Sequence, residues 1–312
     1  MLLVTIILFI LSFALLALSS GWIVTSLSKL GRFFSLNEYT LGALVMAVAT
    51  SLPELFIAIH SSLTFNSSLA LGNVVGANIA NLAFIGGITL LLSRSFVFEN
   101  FLRKDTFHMF LIALLPLLFM FDRHISRFEG VVLLFVFVLY VWKLLSNKTL
   151  PLQQTQPLSS LEVFNAFALF GVSFLLLLGS SRFIVSSAKA LSESFQVPPI
   201  LIGLIVVSLG TTVPELAFSI SAALKGHTSM AMGNLIGSVI TNSTLVLGTA
   251  ALLQPVIPVF FYFIMSGVFL FLIITLFSLF AYEQKIGWKE GLVLLLFYLS
   301  FVYVESSSKG LF

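Results

Sequence analysis

The sequence contains no cysteine, and its charged side chains are few, with 15 Lys and Arg and 12 Asp and Glu among 312 residues. Without cysteine, disulfide bonds, thiolate metal sites and cysteine nucleophiles are excluded. The charged fraction of 9% lies far below the roughly 25% of soluble domains, so a soluble enzyme or a secreted domain could not cover its surface. Hydrophobic residues make up 59% of the chain, with 34 Phe, which also excludes intrinsic disorder. A polytopic helical membrane protein remains.

Apolar runs of about 20 residues, the length that spans a bilayer as a helix, recur along the whole sequence. They predict ten membrane helices, at 2–27, 40–63, 69–92, 106–121, 128–145, 162–187, 199–224, 230–253, 256–281 and 288–306. The fold class is therefore an all-α integral membrane protein. No basic segment precedes the first run, which favours a retained helix over a cleaved signal peptide.

The longest polar interval divides the chain into two halves of five helices each. We assign 1–146 to a first five-helix repeat, 147–161 to a linker and 162–312 to a second five-helix repeat. Lys and Arg favour the loops on one side by ten to five, and the side richer in basic residues is normally cytoplasmic. This bias predicts a cytoplasmic linker, both termini outside and a location in the cell (inner or plasma) membrane. It also accounts for the net charge of +3, so we expect no nucleic-acid partner.

The sequence aligns with itself at an offset of 161 residues. The α-repeat segments 41–90 and 202–251 share 16 identities over 50 positions without a gap. Two motifs recur, Thr-Ser-Leu-Pro-Glu-Leu (50–55) as Thr-Thr-Val-Pro-Glu-Leu (211–216), and Gly-Asn-Val-Val-Gly-Ala-Asn-Ile-Ala-Asn (72–81) as Gly-Asn-Leu-Ile-Gly-Ser-Val-Ile-Thr-Asn (233–242). Because five crossings are an odd number, the two copies should enter the membrane from opposite faces. Inverted repeats of this kind are typical of transporters that work by alternating access.

Each copy places one glutamate deep within a predicted helix, Glu54 in the second and Glu215 in the seventh. Glu54 lies roughly 21 Å along its helix, at about 1.5 Å per residue. A carboxylate at such a depth costs a few kcal/mol to insert, so it normally faces a partner, a cavity or an ion. Each Glu directly follows a proline, Pro53 or Pro214. Because proline removes a backbone hydrogen bond, we predict that each helix kinks or unwinds just before its Glu.

Oxygen atoms of several kinds should converge at the two glutamates, because both repeats contribute helices there. An all-oxygen site suits hard cations, and this one could hold one Ca²⁺ or more than one Na⁺. The two negative charges of the carboxylates balance either one Ca²⁺ or two Na⁺. One ion species must therefore leave before the other binds, which favours exchange. The candidate ligands are the carboxylates of Glu54 and Glu215, the hydroxyls of Thr50 and Thr211, the amides of Asn81 and Asn242 and the carbonyls freed at Ala49 and Gly210.

Other interpretations stay open on the residues alone. The asparagines could be interhelical hydrogen-bond partners, the hydroxyls could cap broken helix ends, and the repeated glycines favour close helix packing. A membrane ion sensor or scaffold would keep the site without transport. An enzyme is not expected, because His-Glu-x-x-His, Gly-x-Ser-x-Gly and paired Asp motifs are absent from the sequence.

The motifs resemble the two α-repeats of the cation/calcium exchanger superfamily, the sodium/calcium exchangers and their prokaryotic relatives. The resemblance implies a secondary antiporter that exchanges Ca²⁺ for Na⁺ by alternating access. The first and sixth helices, interrupted at Ser19-Ser20-Gly21 and Gly179-Ser180-Ser181, are the candidate sliding elements. The resemblance also implies a set of ion ligands: Glu54, Glu215, Ala47, Thr50, Ser51, Ser208, Thr211, Thr212, Asn81, Ser238 and Asn242.

Three positions depart from the superfamily pattern. Ala77 stands where the motif has Ser, Val239 replaces the Asn matched by Asn78, and Asn242 occupies a position that is Asp in many members. With two carboxylates instead of three, the sodium count and the counter-ion stay open. A proton-coupled antiporter for Ca²⁺, or for another divalent cation such as Mg²⁺ or Mn²⁺, is the alternative. The resemblance implies no cofactor, the transported cations and the lipid bilayer as partners, and function as a monomer.

Overall fold

The computed structural model describes residues 2–33, 41–93, 95–97, 100–146, 159–258, 260–283 and 285–307, almost all of them helical. The helices of the first half are α1 (Leu2–Phe33), α2 (Leu41–Met46 and Ala47–Thr50), α3 (Leu52–Leu63), α4 (Ser67–Ser93), α5 (Asn100–Phe119) and α6 (Arg127–Ser146). Those of the second half are α7 (Ser160–Phe195), α8 (Pro199–Thr211), α9 (Val213–Leu224), α10 (Thr228–Leu253), α11 (Phe260–Tyr282) and α12 (Trp288–Ser307).

Eight of the described helices are long and apolar enough to cross a membrane, and the bent pairs α2–α3 and α8–α9 raise the number to ten if each pair is one span. The bends measure 44° and 40°, and Pro53 and Pro214 lie in the first turns of α3 and α9. Proline is tolerated there because first-turn N–H groups have no intrahelical acceptor. The predicted kinks are confirmed.

Three predicted helix ends are wrong. α5 begins at Asn100 and not at 106, α7 continues to Phe195 and not to 187, and α1 continues to Phe33 and not to 27. Each error falls where charged or serine-rich sequence borders the apolar run, before it in α5 and after it in α1 and α7. Hydrophobicity stops at the bilayer surface, whereas the backbone hydrogen bonds of a helix continue beyond it.

The predicted linker at 147–161 lies outside the described residues except for its end. There the Ser159 hydroxyl accepts the N–H of Glu162 at 3.3 Å, and the Glu162 carboxylate accepts the N–H of Ser159 at 2.9 Å. This reciprocal capping box begins α7. Similar bonds begin two other helices. Glu129 accepts the N–H of Ser126 at 2.7 Å at the start of α6, and Glu290 accepts the N–H of Gly287 at 2.6 Å at the start of α12.

Helices α4 and α10 form the centre of the protein. In the apolar stretch with which each helix would cross the membrane, 83% of the residues are buried, against 17–39% in the other long spans. α4 packs against α8 and α12, and α10 packs against α2 and α6. Glycines permit these approaches: a Cβ on Gly87 would lie 2.8 Å from the Gly291 carbonyl oxygen, and one on Gly130 would lie 2.9 Å from that of Gly248.

Short β pairings join loops outside the helices. β1 (Ser95–Val97), between α4 and α5, pairs antiparallel with β2 (Lys285–Gly287), between α11 and α12. Separately, Ile125 and Val256 exchange two backbone hydrogen bonds of 2.9 and 3.0 Å. The two pairings are related by the offset of 161 residues to within one residue, since Phe96 pairs with Ile286, these positions correspond to 257 and 125, and the observed partners are 256 and 125.

α1 and α7 lie along each other and against the two bent spans. A Cβ built on Gly21, Gly171 or Gly179 would meet no atom within 4 Å. Many large apolar side chains of both helices are exposed, as expected for surfaces that face lipid. This pair of helices is therefore packed less closely than the centre.

Candidate ion-binding site

The two glutamates lie in the first turns of α3 and α9, beside the bends. Both are fully buried, and their charges interact with each other. Glu54 faces the side chain of Thr211, and Glu215 faces that of Thr50. Among the described residues, none of the four carboxylate oxygens has a hydrogen bond of good geometry. Two buried like charges repel each other, so a bound cation would stabilise both.

Each threonine of the motif also contacts the central helix of the opposite half. Thr50 Oγ1 donates to Asn234 Oδ1 at 3.4 Å and lies 3.4 Å from Ser238 Oγ, both on α10. Thr211 Oγ1 donates to Asn73 Oδ1 on α4 at 3.2 Å. Residues from both halves therefore form one polar region around the glutamates.

Ser51 and Thr212 are the residues at the two bends. Their φ and ψ angles are −79° and 0°, and −81° and 2°, close to the sparsely populated bridge region in which many active-site residues lie. The Ser51 N–H donates to the Ala47 carbonyl, and the Thr212 N–H to the Ser208 carbonyl, each at 3.0 Å. The Ser51 hydroxyl has no partner among the described residues, whereas the Thr212 hydroxyl donates to a backbone carbonyl of its own helix at 3.3 Å.

The carbonyls of Ala47 and Ser208 already accept hydrogen bonds from side chains. The Ala47 carbonyl also accepts the Thr50 hydroxyl at 3.4 Å, and the Ser208 carbonyl accepts the Thr211 hydroxyl at 3.1 Å. The carbonyl of Ala49 lies near the Ser51 N–H, but that N–H donates to Ala47 at 3.0 Å. The freeing of the Ala49 and Gly210 carbonyls by the prolines therefore stays a prediction.

Asn81 and Asn242 lie in π-helical turns, Ala80–Ile85 within α4 and Asn242–Val246 within α10. Both side chains are fully buried, and neither their oxygens nor their nitrogens have a partner among the described residues. An unpaired buried polar group costs about 1–3 kcal/mol, so an interhelical hydrogen bond does not account for these two residues. π turns occur frequently at functional sites, where they reorient side chains.

The sodium/calcium exchanger protein family matches the chain twice, over residues 4–145 and 165–306. The chain belongs to this family. The two matched segments are offset by 161 residues, which is the offset of the internal repeat. The resemblance read from the motifs is confirmed.

Similar exchangers and membrane proteins cover most of the chain. The inner membrane protein YrbG of Escherichia coli (strain K12) is 31% identical over 80% of this chain and 79% of its own length. The sodium/calcium exchanger MaX1 of Methanosarcina acetivorans is 28% identical over 97% of this chain and 99% of its own length. A solved structure of the sodium-calcium exchanger NCX_Mj superposes with a TM-score of 0.73 at 25% identity, covering 97% of this chain and 99% of that one.

The ligands predicted from the motifs leave out part of the polar region, since Asn73 and Asn234 could equally line the ion path or end a helix. Asn73 and Asn234 contact the threonines, and their repetition in the Gly-Asn motif was the signal available. Asn78 Nδ2 donates to Ser243 Oγ at 2.9 Å. The repeat could not predict this bond, because the equivalent positions are Val239 and Leu82.

The donor set of this exchanger suits a hard cation. Among the described residues, no three His, Cys, Asp or Glu side chains lie close enough to form a metal centre. Transition-metal sites favour imidazole and thiolate ligands, whereas Ca²⁺ takes carboxylate, amide, carbonyl and water oxygens. Two carboxylates with buried amides and hydroxyls around them match the second kind of site.

Proposed function

We propose that this protein is a secondary antiporter that exchanges Ca²⁺ for Na⁺ across the cell membrane by alternating access. One observation carries the proposal: Glu54 and Glu215 are both fully buried, beside the threonines of the opposite repeat and without hydrogen bonds of good geometry from the described residues. Their two negative charges balance one Ca²⁺ or two Na⁺, so the two ions compete for one set of oxygens. The proposed ligands are Glu54, Glu215, Ala47, Thr50, Ser51, Ser208, Thr211, Thr212, Asn81, Ser238 and Asn242.

We further propose that the two halves are inverted repeats, 1–146 and 162–312, joined by a cytoplasmic linker. The offset of 161 residues relates both bends, the π turns at Leu41–Met46 and Ile202–Val207, and the two loop pairings. Since five crossings separate equivalent loops, the two pairings would lie on opposite faces of the membrane. The excess of basic residues in the loops on one side supports an orientation with both termini outside.

A proton-coupled antiporter is the second candidate. It stays an alternative because Asn242, an amide at a position that many members of the superfamily fill with a third acid, leaves the counter-ion open. With two carboxylates, the exchange of one Ca²⁺ for two H⁺ is balanced as well as the exchange for two Na⁺. The same charge argument holds for another divalent cation.

The test is Ca²⁺ uptake by purified protein in liposomes loaded with Na⁺, compared with Na⁺-free liposomes under an imposed pH gradient. We expect the outward Na⁺ gradient to drive Ca²⁺ uptake and the pH gradient alone to leave uptake at the level of empty liposomes. Uptake driven by the pH gradient alone would select the proton-coupled candidate. No uptake under either gradient would contradict transport and favour a sensor or scaffold.

A further inference from the structure

One polar contact outside the ion site joins α7 to a bent span. His60 lies on α3, six residues after Glu54, and its Nδ1 lies 2.9 Å from Ser181 Oγ on α7. The same Nδ1 lies 3.1 Å from the carbonyl oxygen of Phe56, and the Ser181 hydroxyl lies 2.9 Å from that of Leu178. A side chain of the bent span α2–α3 and a side chain of the long helix α7 therefore meet here.

The neighbouring carbonyl favours one arrangement of the protons in this contact. A carbonyl oxygen only accepts hydrogen bonds, so the His60 tautomer with the hydrogen on Nδ1 satisfies Phe56 and Ser181 together. The Ser181 hydroxyl then donates to Leu178, and its oxygen accepts from the imidazole. Each polar group in the chain of contacts has a partner, and the bond from His60 to Ser181 crosses from α3 to α7.

The surrounding contact between α3 and α7 is apolar. The rings of Phe56 and Phe174 pack edge to face with centroids 5.0 Å apart, and Leu177 lies in the same buried cluster. Apolar contacts are non-directional and tolerate small displacements of one helix along another. A hydrogen bond weakens steeply with angle and distance, so the bond between His60 and Ser181 fixes one register of α7.

The residues related to this pair by the internal repeat form no equivalent bond. At the offset of 161 residues, His60 corresponds to Ser221 and Ser181 corresponds to Ser20. Ser221 is exposed, and the buried Ser20 hydroxyl has no partner among the described residues. In an inverted repeat, exchanging the conformations of the halves converts the state open to one face into the state open to the other. In the inverted state, the contact between α3 and α7 would take the geometry now found between α9 and α1, where the equivalent residues Ser221 and Ser20 form no such bond. The bond from His60 to Ser181 therefore favours the described state.

We propose that the hydrogen bond between His60 and Ser181 is a latch that stabilises the described conformation over its inverted counterpart. This inference rests on the proposed exchange by alternating access. Apparent affinity at each face is scaled by the fraction of molecules open to that face. The ratio of the half-saturating Ca²⁺ concentrations at the two faces therefore follows the conformational equilibrium, whatever the intrinsic affinity of the site.

The test measures that ratio with right-side-out and inside-out membrane vesicles. His60→Phe keeps an aromatic ring and removes the donor, whereas His60→Asn places an amide N–H near the position of Nδ1. We expect His60→Phe to change the ratio about two- to tenfold, the effect of one net hydrogen bond. His60→Asn should keep the ratio close to that of the unmodified protein.

Two further variants separate a latch from general damage. Ser181→Ala should shift the ratio in the same direction as His60→Phe, and combining the two changes should add nothing. The matched control is Ser186→Ala, because the exposed Ser186 hydroxyl bonds within its own helix to Phe183 at 3.0 Å; its ratio should not change. Equal weakening at both faces, or an unchanged ratio in both latch variants while Ca²⁺ exchange persists, would overturn the latch. Absence of Ca²⁺ exchange in the unmodified protein would instead contradict the proposed function and, with it, the latch.

Discussion

The centre of the molecule and the pair formed by α1 and α7 are packed in opposite ways. In the centre, a Cβ on Gly76 or Gly237 would overlap a backbone carbonyl of the neighbouring bent span. In the pair, the glycines face open space, and neither β pairing includes α1 or α7. Close packing through glycines is therefore concentrated where the proposed ligands lie, whereas the glycines of α1 and α7 lie on exposed surfaces. This contrast supports their proposed role as sliding helices.

The largest effect should come from adding one methyl group to the centre. A Cβ at Gly237 would lie 2.6 Å from the Cβ of Ala47 and 2.9 Å from the carbonyl carbon of Ala43. Overpacking of this kind typically costs about 1–3 kcal/mol and occasionally more, so Gly237→Ala should lower the thermal unfolding midpoint and the yield of folded protein.

The matched change in the pair is Gly179→Ala, where the added methyl meets no atom within 4 Å. It should leave the unfolding midpoint unchanged or raise it, because alanine favours a helix over glycine by about 1 kcal/mol. Equal destabilisation by Gly237→Ala and Gly179→Ala would remove the difference between the two regions.

A smaller effect is expected from an ion pair between α5 and α6, outside the centre. Lys143 on α6 donates to the buried Asp105 on α5 and lies 3.2 Å from His108 Nδ1. Lys143→Met leaves the Asp105 carboxylate without this partner, which should destabilise the protein by about 1–3 kcal/mol. Chemical unfolding in detergent measures the change.

The control for this change is Lys189→Met, since Lys189 is exposed on α7 and its loss should be close to neutral. Adding Asp105→Asn to Lys143→Met should recover part of the lost stability, because a neutral amide then replaces the buried carboxylate that lost its Lys143 partner. A neutral Lys143→Met would show that the ion pair does not hold α5 and α6 together.

How far the sequence predicts this molecule depends on whether a feature is local or repeated. Pro53 and Pro214 predict the bends because proline acts on its own helix, and the buried acids follow from their depth in apolar runs. Contacts between distant elements are different. The bonds from Asn78 to Ser243 and from His60 to Ser181 join residues whose repeat equivalents differ, so no pattern predicts them.

The sequence also does not predict the π turns or the ends of several helices. Nothing in the composition of Ala80–Ile85 distinguishes a π turn from an α-helix, since the difference lies in which carbonyl each N–H reaches. α5 begins among charged residues that the apolar pattern excludes. In both cases tertiary packing determines the backbone.

The central claim is that Glu54 and Glu215 together carry the divalent cation, and the direct measurement is Ca²⁺ flux in liposomes for Glu54→Gln and Glu215→Gln. Each change removes one charge and keeps the side-chain shape. The control is Glu305→Gln, because Glu305 is another fully buried acid, near the end of α12. We expect both site variants to elute as folded protein with flux at the level of empty liposomes, and the control to retain flux. Flux close to that of the unmodified protein in either site variant would contradict the two-carboxylate site.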